Sequence, residues 1–272
     1  MFTGPSWNDQ SLHASALTWR TQLRPSDMPV IWALSDLHLS LSGAKPMDVF
    51  GERWERHHER MAESWDRLVG PEDIVLSPGD LSWAMKPAEA KLDLDWVGAR
   101  PGWKVIAKGN HDFWWPGTRK AMAALLPPRM VAIKKCAARI GPVGFFGARG
   151  GDFAPLTRYG DTRTQVEVDA WLEREENELK LSIAELDRLD AESGTPAALR
   201  ICVFHYPPVA PGKRSSRFSP LITAARASWC VYGHLHGQNI GPARVEGDIS
   251  GVQYRCASCD LIGFEPVRIC DF

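Results

Sequence analysis

Five short apolar runs in this chain each end within a few residues of a histidine, an aspartate or an asparagine. They cover residues 30–34, 74–76, 105–107, 201–204 and 229–232, lengths that are typical of buried β-strands. Helical patterns follow each of the first three runs, at residues 52–68, 87–99 and 118–126. Strands alternating with helices predict a largely parallel sheet, whose loops converge outside the carboxyl ends of the strands. We therefore expect these polar residues to meet at one rim.

The remainder of the chain alternates in character. Short β-like pieces at residues 130–134 and 143–146 flank a Gly141-Pro142 turn, and residues 165–191 have the spacing of a long amphipathic surface helix. A loop rich in proline, glycine and serine is predicted at residues 206–220, and β structure again at 240–272. Because no repeat or linker interrupts the sequence, a single domain spanning residues 1–272 is expected.

Charge and composition exclude several classes of function. The formal net charge is -1, and the 32 lysines and arginines are spread along the chain, so a surface that grips extended nucleic acid is not expected. The first residues, Met1 to Pro5, show no basic region followed by an apolar core, and no window approaches the apolar length that spans a bilayer, so neither export nor membrane insertion is expected. Cys202 and Cys230 lie within predicted buried strands, where a reduced cysteine is typical. These features favour the cytoplasm, no membrane contact and a small-molecule partner, and leave the oligomeric state open.

Five of the eight histidines fall in the segments that follow the apolar runs. Asp36 and His38 are separated by one residue, so at a strand end both side chains would leave the same face and could share a cation. The carboxylate of Asp80 could bridge two cations, and Asn110 offers a neutral oxygen. The segments are Asp36-Leu37-His38, Gly79-Asp80, Gly109-Asn110-His111-Asp112, His205 and Gly233-His234-Leu235-His236. Together they offer seven ligands and one spare histidine, which suits two divalent cations.

In this order the five segments resemble the motif series of the calcineurin-like metallophosphoesterase superfamily. The resemblance implies an α/β fold, a four-layer α/β/β/α sandwich of two mixed sheets flanked by helices, with a binuclear metal centre. It also implies that one metal is held by Asp36, His38 and His236, the other by Asn110, His205 and His234, and that Asp80 bridges them. The sequence around Gly79-Asp80 and Gly109-Asn110 also resembles that of a bacterial subgroup of predicted phosphohydrolases.

The expected chemistry is hydrolysis of a phosphoric ester by in-line attack of a metal-bridging hydroxide. His111 is adjacent to a ligand but is not needed as one, so we predict that it is the general acid. The resemblance implies that Asp112 orients its imidazole. Arg149, followed by Gly150-Gly151, is the best-placed phosphate clamp, because a guanidinium matches two phosphate oxygens. Further candidates for that role are Arg119, Lys213, Arg214 and Arg217, whereas Trp83, Trp114 and Trp115 are expected to pack in the core or at the rim.

The substrate and the metal are less constrained by the sequence. Phosphoprotein phosphatases of this superfamily carry Gly-Asp-x-x-Asp-Arg-Gly and Gly-Asn-His-Glu, whereas this chain has Gly-Asp-Leu-Ser-Trp-Ala and Gly-Asn-His-Asp. This difference argues against a protein substrate and favours a phosphodiester of a nucleotide or a similar small molecule. The alternatives are a phosphomonoesterase and a non-catalytic metal-binding scaffold of the same fold. Imidazole and carboxylate ligands suit manganese, iron or zinc, and we favour manganese.

Overall fold

A computed structural model describes residues 28–151, 164–237 and 243–272. The predicted single domain also includes residues 1–27, and the predicted C-terminal β region begins at residue 240; residues 1–27 and 240–242 lie outside the described residues. All five predicted strands are present. The strands are β1 (Val30–Ala33), β2 (Ile74–Ser77), β3 (Trp103–Ala107), β4 (Met130–Ile133), β5 (Ala138–Ile140), β6 (Val143–Ala148), β7 (Leu199–Phe204), β8 (Trp229–Tyr232), β9 (Gly247–Ile249), β10 (Val252–Cys256) and β11 (Val267–Asp271).

The strands form two mixed sheets. The first sheet has the order β11-β1-β2-β3-β4, with parallel pairing throughout except for the antiparallel pair of β1 and β11. The second has the order β5-β6-β7-β8-β10-β9, with antiparallel strands only at its two edges. The parallel strands of each sheet therefore end at a common edge, as the strand and helix alternation predicted.

Side chains alternate across both sheets and define the layers. Ile31, Leu76 and Val105 of the first sheet pack with Phe145 and Val203 of the second in one buried cluster between the sheets. The opposite face of each sheet packs against helices in two further clusters. Three apolar layers thus separate four layers of secondary structure, and the expected α/β/β/α sandwich is confirmed.

The helices largely follow the sequence pattern. They are α1 (His57–Leu68), α2 (Pro87–Gly98), α3 (Arg119–Leu125), α4 (Gln165–Glu192) and α5 (Ser219–Ala224). The predicted helix at residues 52–68 starts five residues late: short 3-10 turns occupy Met47–Phe50 and Glu52–Trp54, and Arg56 before α1 has a φ of 48°. Helix α5 begins within the last two residues of the loop predicted at residues 206–220.

The starts of two predicted helices have clear physical causes. Helix α2 opens with Pro87, whose missing N–H costs nothing in a first turn. Helix α4 opens with a capping box, in which Thr164 and Glu167 each bond the backbone N–H of the other. None of the helices that the structure describes is long and apolar enough to cross a bilayer.

Candidate metal centre

The candidate ligands lie in loops whose backbone is unusual. Asp36, His38, Asp80 and His234 all have positive φ, at 58°, 45°, 51° and 69°. This left-handed conformation is costly for residues with a Cβ and persists where surrounding structure enforces it, often at functional sites. Asp36 and His38 do come together as predicted, but the reason is this loop conformation, because strand β1 ends at Ala33. The strand alternation invoked for the pair is therefore wrong.

Hydrogen bonds enforce the loop conformation. The N–H of Asp36 donates to the carbonyl of Gly79 at 3.0 Å, and the N–H of His38 donates to the carbonyl of Asp80 at 3.0 Å. The loop after β1 therefore continues to pair with the loop after β2 beyond the ends of both strands. This pairing fixes the positions of two candidate carboxylates relative to each other.

Two glycines allow the loops to approach closely. A Cβ on Gly109 would lie 2.0 Å from Oδ1 of Asp80, and a Cβ on Gly233 would lie 2.3 Å from Oδ2 of Asp36. Because real Cβ atoms do not approach other atoms that closely, any larger residue would displace a candidate ligand. The glycine of each of these two motifs thus has a steric role at the site.

The first group of candidate ligands is Asp36, His38 and His236, whose ligand atoms lie within 4.8 Å of one another. Nε2 of His38 lies 3.2 Å from Nε2 of His236, which in turn lies 3.4 Å from Oδ1 of Asp36. Two imidazole nitrogens and a carboxylate oxygen facing one point are a suitable donor set for a divalent transition metal.

The second group is Asp80, His205 and His234, whose ligand atoms also lie within 4.8 Å of one another. Oδ1 of Asn110 lies 2.7 Å from Nε2 of His205, so the predicted amide ligand lies beside this group. The other ring nitrogen of His205 lies 3.0 Å from the carbonyl of Pro78, which orients the ring with Nε2 toward the site. All seven predicted metal ligands are thus brought together.

Asp80 lies between the two groups. Its Oδ2 is 3.9 Å from Nε2 of His38 and 3.5 Å from Nε2 of His205. Its Oδ1 accepts the backbone N–H of His111 at 2.7 Å, which leaves Oδ2 directed at both groups. This is the position that a bridging carboxylate requires.

The electrostatics of the site favour bound cations. Burial raises the pKa of Asp80 well above its ordinary value, and the charges of Asp112 and Asp36 raise it further. Burial lowers the pKa of His38 and His234 well below the ordinary value. A buried carboxylate that is costly to ionise, beside imidazoles kept neutral, is a group that a cation would stabilise.

His236 differs from the other imidazoles. Burial alone would lower its pKa, but Asp36 and Asp260 raise it to about 10. A cation that binds Nε2 of His236 must therefore displace a proton. With the donor types and the central carboxylate, these features fit two divalent cations.

The structure corrects the expected contact of Asp112. This carboxylate is fully buried and accepts the backbone N–H groups of Asp80, Leu81, Ser82 and Gly109 at 2.8–3.3 Å, together with Nε1 of Trp114 at 2.9 Å. No hydrogen bond to the His111 imidazole occurs among the described residues. Five donors fill the two oxygens, so Asp112 ties together the loops after β2 and β3 rather than orienting His111.

His111 is half-buried at the edge of the site. Its ring centroid lies 4.2 Å from that of Trp83 and 5.6 Å from that of His38. Burial lowers the pKa of His111 to about 4. Negative charge brought by a phosphate ester would raise this pKa, as a nearby anion favours imidazolium.

Arg149 follows strand β6 close to the second group of ligands. Its carbonyl accepts the N–H of Tyr206, the residue after His205, at 2.9 Å. Its guanidinium pairs with the buried carboxylate of Glu175 on α4 at 2.7 Å and is itself partly exposed. Sequence reasoning missed Glu175, which the helical pattern of α4 gave no reason to single out.

The other predicted clamps and tryptophans are placed as follows. Arg119 pairs with Glu185 and Arg217 with Glu176, both on α4, while Lys213 and Arg214 are exposed. Trp114 is fully buried, and Trp83 and Trp115 are half-buried, so the packing expected of all three is confirmed.

Several residues near the site carry no motif that sequence reasoning could have used. His57 is buried, with Nε2 3.0 Å from the carbonyl of Leu37, the residue between Asp36 and His38. The C-terminal segment contributes Ser258, whose hydroxyl donates to Oδ2 of Asp36 at 3.1 Å. It also contributes Asp260, whose Oδ1 lies 2.9 Å from Nδ1 of His236. Only the packing of the chain places them there.

The family of the chain follows from comparison with known proteins. A model of the family described as calcineurin-like phosphoesterase matches residues 29–238. The chain belongs to this family. The match includes every predicted metal ligand, and the two mixed sheets flanked by helices agree with the fold of calcineurin-like phosphoesterases. Membership supports metal-dependent phosphoesterase activity.

Individual relatives add little about the substrate. The Gene 66 protein of Mycobacterium phage D29 is 40% identical over 87 residues, which are 31% of this chain and 41% of the phage protein. The Gene 66 protein of Mycobacterium phage L5 is 33% identical over 90 residues, 33% of this chain and 43% of that protein. The chain thus matches less than half the length of either phage protein.

Comparison with solved structures adds evidence on the fold. The phosphopantetheinyl hydrolase of Mycobacterium tuberculosis superposes with a TM-score of 0.50 at 17% identity, covering 89% of this chain and 96% of that one. At this level of identity the likeness concerns the fold alone.

Proposed function

We propose that this protein is a binuclear metal-dependent hydrolase of phosphoric esters, with a phosphodiester of a nucleotide or similar small molecule as its preferred substrate. The observation that carries the proposal is the position of Asp80, whose Oδ2 faces His38 on one side and His205 on the other. A shared carboxylate of this kind is what holds two cations close enough to act on one phosphate.

The ligands divide into two sets around Asp80. Asp36, His38 and His236 would hold one cation, and Asn110, His205 and His234 the other. When bound, two divalent cations would activate the attacking water and neutralise charge on the phosphoryl oxygens. Imidazole and carboxylate ligands without thiolate suit manganese, iron and zinc alike, and of these three metals we propose manganese.

Two further residues would act on the substrate directly. His111 would donate a proton to the leaving oxygen, since its ring lies at the edge of the site and is not needed as a ligand. Arg149 would bind a phosphate oxygen, with Glu175 holding the guanidinium in place. Asp112 would act as a positioning residue, through the loops that carry Asp80 and Asn110.

The cellular setting is also part of the proposal. All six cysteines are free thiols. They include Cys202 and Cys230, which lie opposite each other on the neighbouring strands β7 and β8. Unpaired thiols in such numbers are usual where the compartment is reducing, which supports the cytoplasm as the location. The formal net charge of -1 gives no support to extended nucleic acid as a partner.

The direct test compares two chromogenic substrates, bis(4-nitrophenyl) phosphate and 4-nitrophenyl phosphate, with the purified protein in Mn²⁺ and in EDTA. We expect hydrolysis in Mn²⁺, no hydrolysis in EDTA, and a higher kcat/KM for the diester. Asp80→Asn should abolish turnover, whereas Asp48→Asn, an exposed carboxylate exchanged in the same way, should leave it unchanged.

The outcomes separate the alternatives. A higher kcat/KM for the monoester would contradict the diester preference and favour a phosphomonoesterase. Binding of Mn²⁺ without hydrolysis of either ester, or of a panel of nucleotides, would favour the non-catalytic scaffold. Equal turnover by the native protein and Asp80→Asn would contradict the metal centre itself.

A further inference from the structure

The C-terminal segment around Asp260 lies beyond the part of the chain that matches the family, which ends at residue 238. It nevertheless contacts two candidate ligands. Ser258 pairs with Ser35 as an isolated β-bridge, and the N–H of Cys259 donates to the carbonyl of Ser35 at 3.0 Å. The segment is therefore fixed to the loop that carries Asp36, on the side of the site where His236 lies.

The carboxylate of Asp260 contacts the ring nitrogen of His236 that faces away from the site. Nδ1 of His236 lies 2.9 Å from Oδ1 of Asp260, while Nε2 lies 3.2 Å from Nε2 of His38. An imidazole that offers a lone pair at Nε2 must carry its proton on Nδ1. A carboxylate at Nδ1 accepts that proton's hydrogen bond, and so favours the tautomer that can bind a cation.

The carboxylate of Asp260 is itself held in place. Its Oδ2 accepts the N–H of Gly237 at 2.9 Å and lies 3.6 Å from Nη1 of Arg53, and Arg53 also donates to the Asp260 carbonyl. Asp260 is buried. Both oxygens are therefore engaged, and the carboxylate cannot turn away from His236 without breaking a second bond.

We propose that Asp260 is a positioning residue of the metal centre, which fixes the tautomer and ring orientation of His236 and so sets the affinity of the cation held by Asp36, His38 and His236. Ser258 supports the same cation through Asp36. The inference rests on the proposed metal centre, and it assigns to the C-terminal segment a part in the site that the matched motifs do not contain.

Asp260→Asn is the informative substitution, because it keeps the shape and removes the symmetry of the two oxygens. In one orientation the amide nitrogen of the new side chain faces the N–H of Gly237, donor against donor. In the other it donates to Nδ1 of His236, which selects the tautomer with its proton on Nε2 and blocks the cation. Either orientation weakens the site.

The first readout is the affinity of the metal-free protein for Mn²⁺, measured by calorimetric titration. We expect the native protein to bind two ions, and Asp260→Asn to bind one of them about 10- to 100-fold more weakly while the other is unchanged. Asp248→Asn is the matched control, since Asp248 is an exposed carboxylate in the same part of the chain that also accepts a backbone N–H. It should bind both ions as the native protein does.

The second readout is the tautomer of His236, from long-range proton–nitrogen correlation spectra of the Zn²⁺-loaded native protein. A proton on Nδ1 supports the proposal, and a proton on Nε2 overturns it, whether or not Asp260→Asn folds. Arg53→Met provides a milder change, because it loosens the carboxylate without removing it, and we expect a smaller weakening at the same ion.

The failures are distinguishable. A native protein that binds no Mn²⁺ would overturn the proposed metal centre and this inference with it. A native protein that binds two ions, with affinities that Asp260→Asn leaves unchanged or weakens equally, would overturn this inference alone.

Discussion

The loops of the first sheet and those of the second contribute to the candidate centre in different ways. The first sheet supplies all the oxygen ligands, Asp36, Asp80 and Asn110, and its loops are joined by their own hydrogen bonds through Asp112. The second sheet supplies only imidazoles, and hydrogen bonds to the first-sheet loops hold two of them, His205 and His234, in place. His205 contacts the carbonyl of Pro78, and the N–H of His234 donates to Asp36 at 3.0 Å.

The two sets of loops therefore have different roles. The first-sheet loops form a rigid scaffold for the charged ligands, because buried carboxylates with several donors cannot move independently. The second-sheet histidines complete the site only when the two sheets are packed together. Substitutions that break the hydrogen bonds within the first-sheet loops should therefore lower the free energy of unfolding. Substitutions of residues at the edge of the site should change only catalysis or binding.

The largest expected effect separates chemistry from scaffold within one first-sheet loop. His111→Ala removes the proposed proton donor but none of the ligands, so we expect kcat to fall by about 10² to 10⁴ while two Mn²⁺ ions remain bound. Steady-state kinetics and metal analysis of the same preparation check this. An unchanged kcat would remove His111 from the mechanism.

Asp112→Ala tests the scaffold itself. Five buried donors would lose their acceptor, at about 1–3 kcal/mol for each that stays unsatisfied, so we expect the free energy of unfolding to fall by at least about 3 kcal/mol. Urea denaturation in EDTA measures this without the contribution of bound metal. Asp95→Ala, at an exposed carboxylate that pairs with Lys91, should change it by less than about 0.5 kcal/mol. Similar values for both variants would contradict the scaffold role.

Gly233→Ala tests the contact between the two sets of loops. The new methyl group would lie 2.2 Å from Oγ of Ser35 and 2.3 Å from Oδ2 of Asp36, so we expect a loss of about 1–3 kcal/mol from overpacking and weaker Mn²⁺ binding. Gly117→Ala is the control, since its methyl group would meet nothing within 4 Å. If both variants bind Mn²⁺ with native affinity, the close approach at Gly233 is unimportant.

The smallest expected effect concerns the loop that follows β6 in the second sheet. Arg149→Ala should raise KM for the preferred ester about tenfold, equivalent to ~1.4 kcal/mol, with little change in kcat. Arg119→Ala removes another arginine that pairs with a glutamate of α4 and should leave KM unchanged. A rise in KM for Arg119→Ala instead would transfer the role of phosphate clamp to that residue.

Much of the fold could be predicted because its causes are local. Runs such as residues 201–204 are apolar enough to identify buried strands, and Pro87 and Thr164 mark helix starts by their own chemistry. The short strand β5 could not be identified, since three residues at a sheet edge carry little pattern, and β9 was covered only by the general prediction of β structure at residues 240–272. Helix α5 was missed for a similar reason, because it is six residues long and follows a loop rich in proline.

The candidate site was predictable to the extent that its residues stand in recognisable motifs. All seven predicted ligands are brought together. What the motifs could not convey was the function of Asp112, because its partners are backbone groups that any sequence possesses. Asp260 and Glu175 were missed because an isolated acidic residue, distant along the chain, gives no signal until the fold brings it to its partner.

The sequence by itself determined which side chains can bind cations and which runs are apolar enough to become strands, because both depend on residue type and local spacing. Only the tertiary structure decided which of those groups meet, in which backbone conformation, and which unrecognised residues hold them. The physical reason is that hydrogen bonds such as that from the N–H of His234 to Asp36, 198 residues apart, form only after the two sheets have packed.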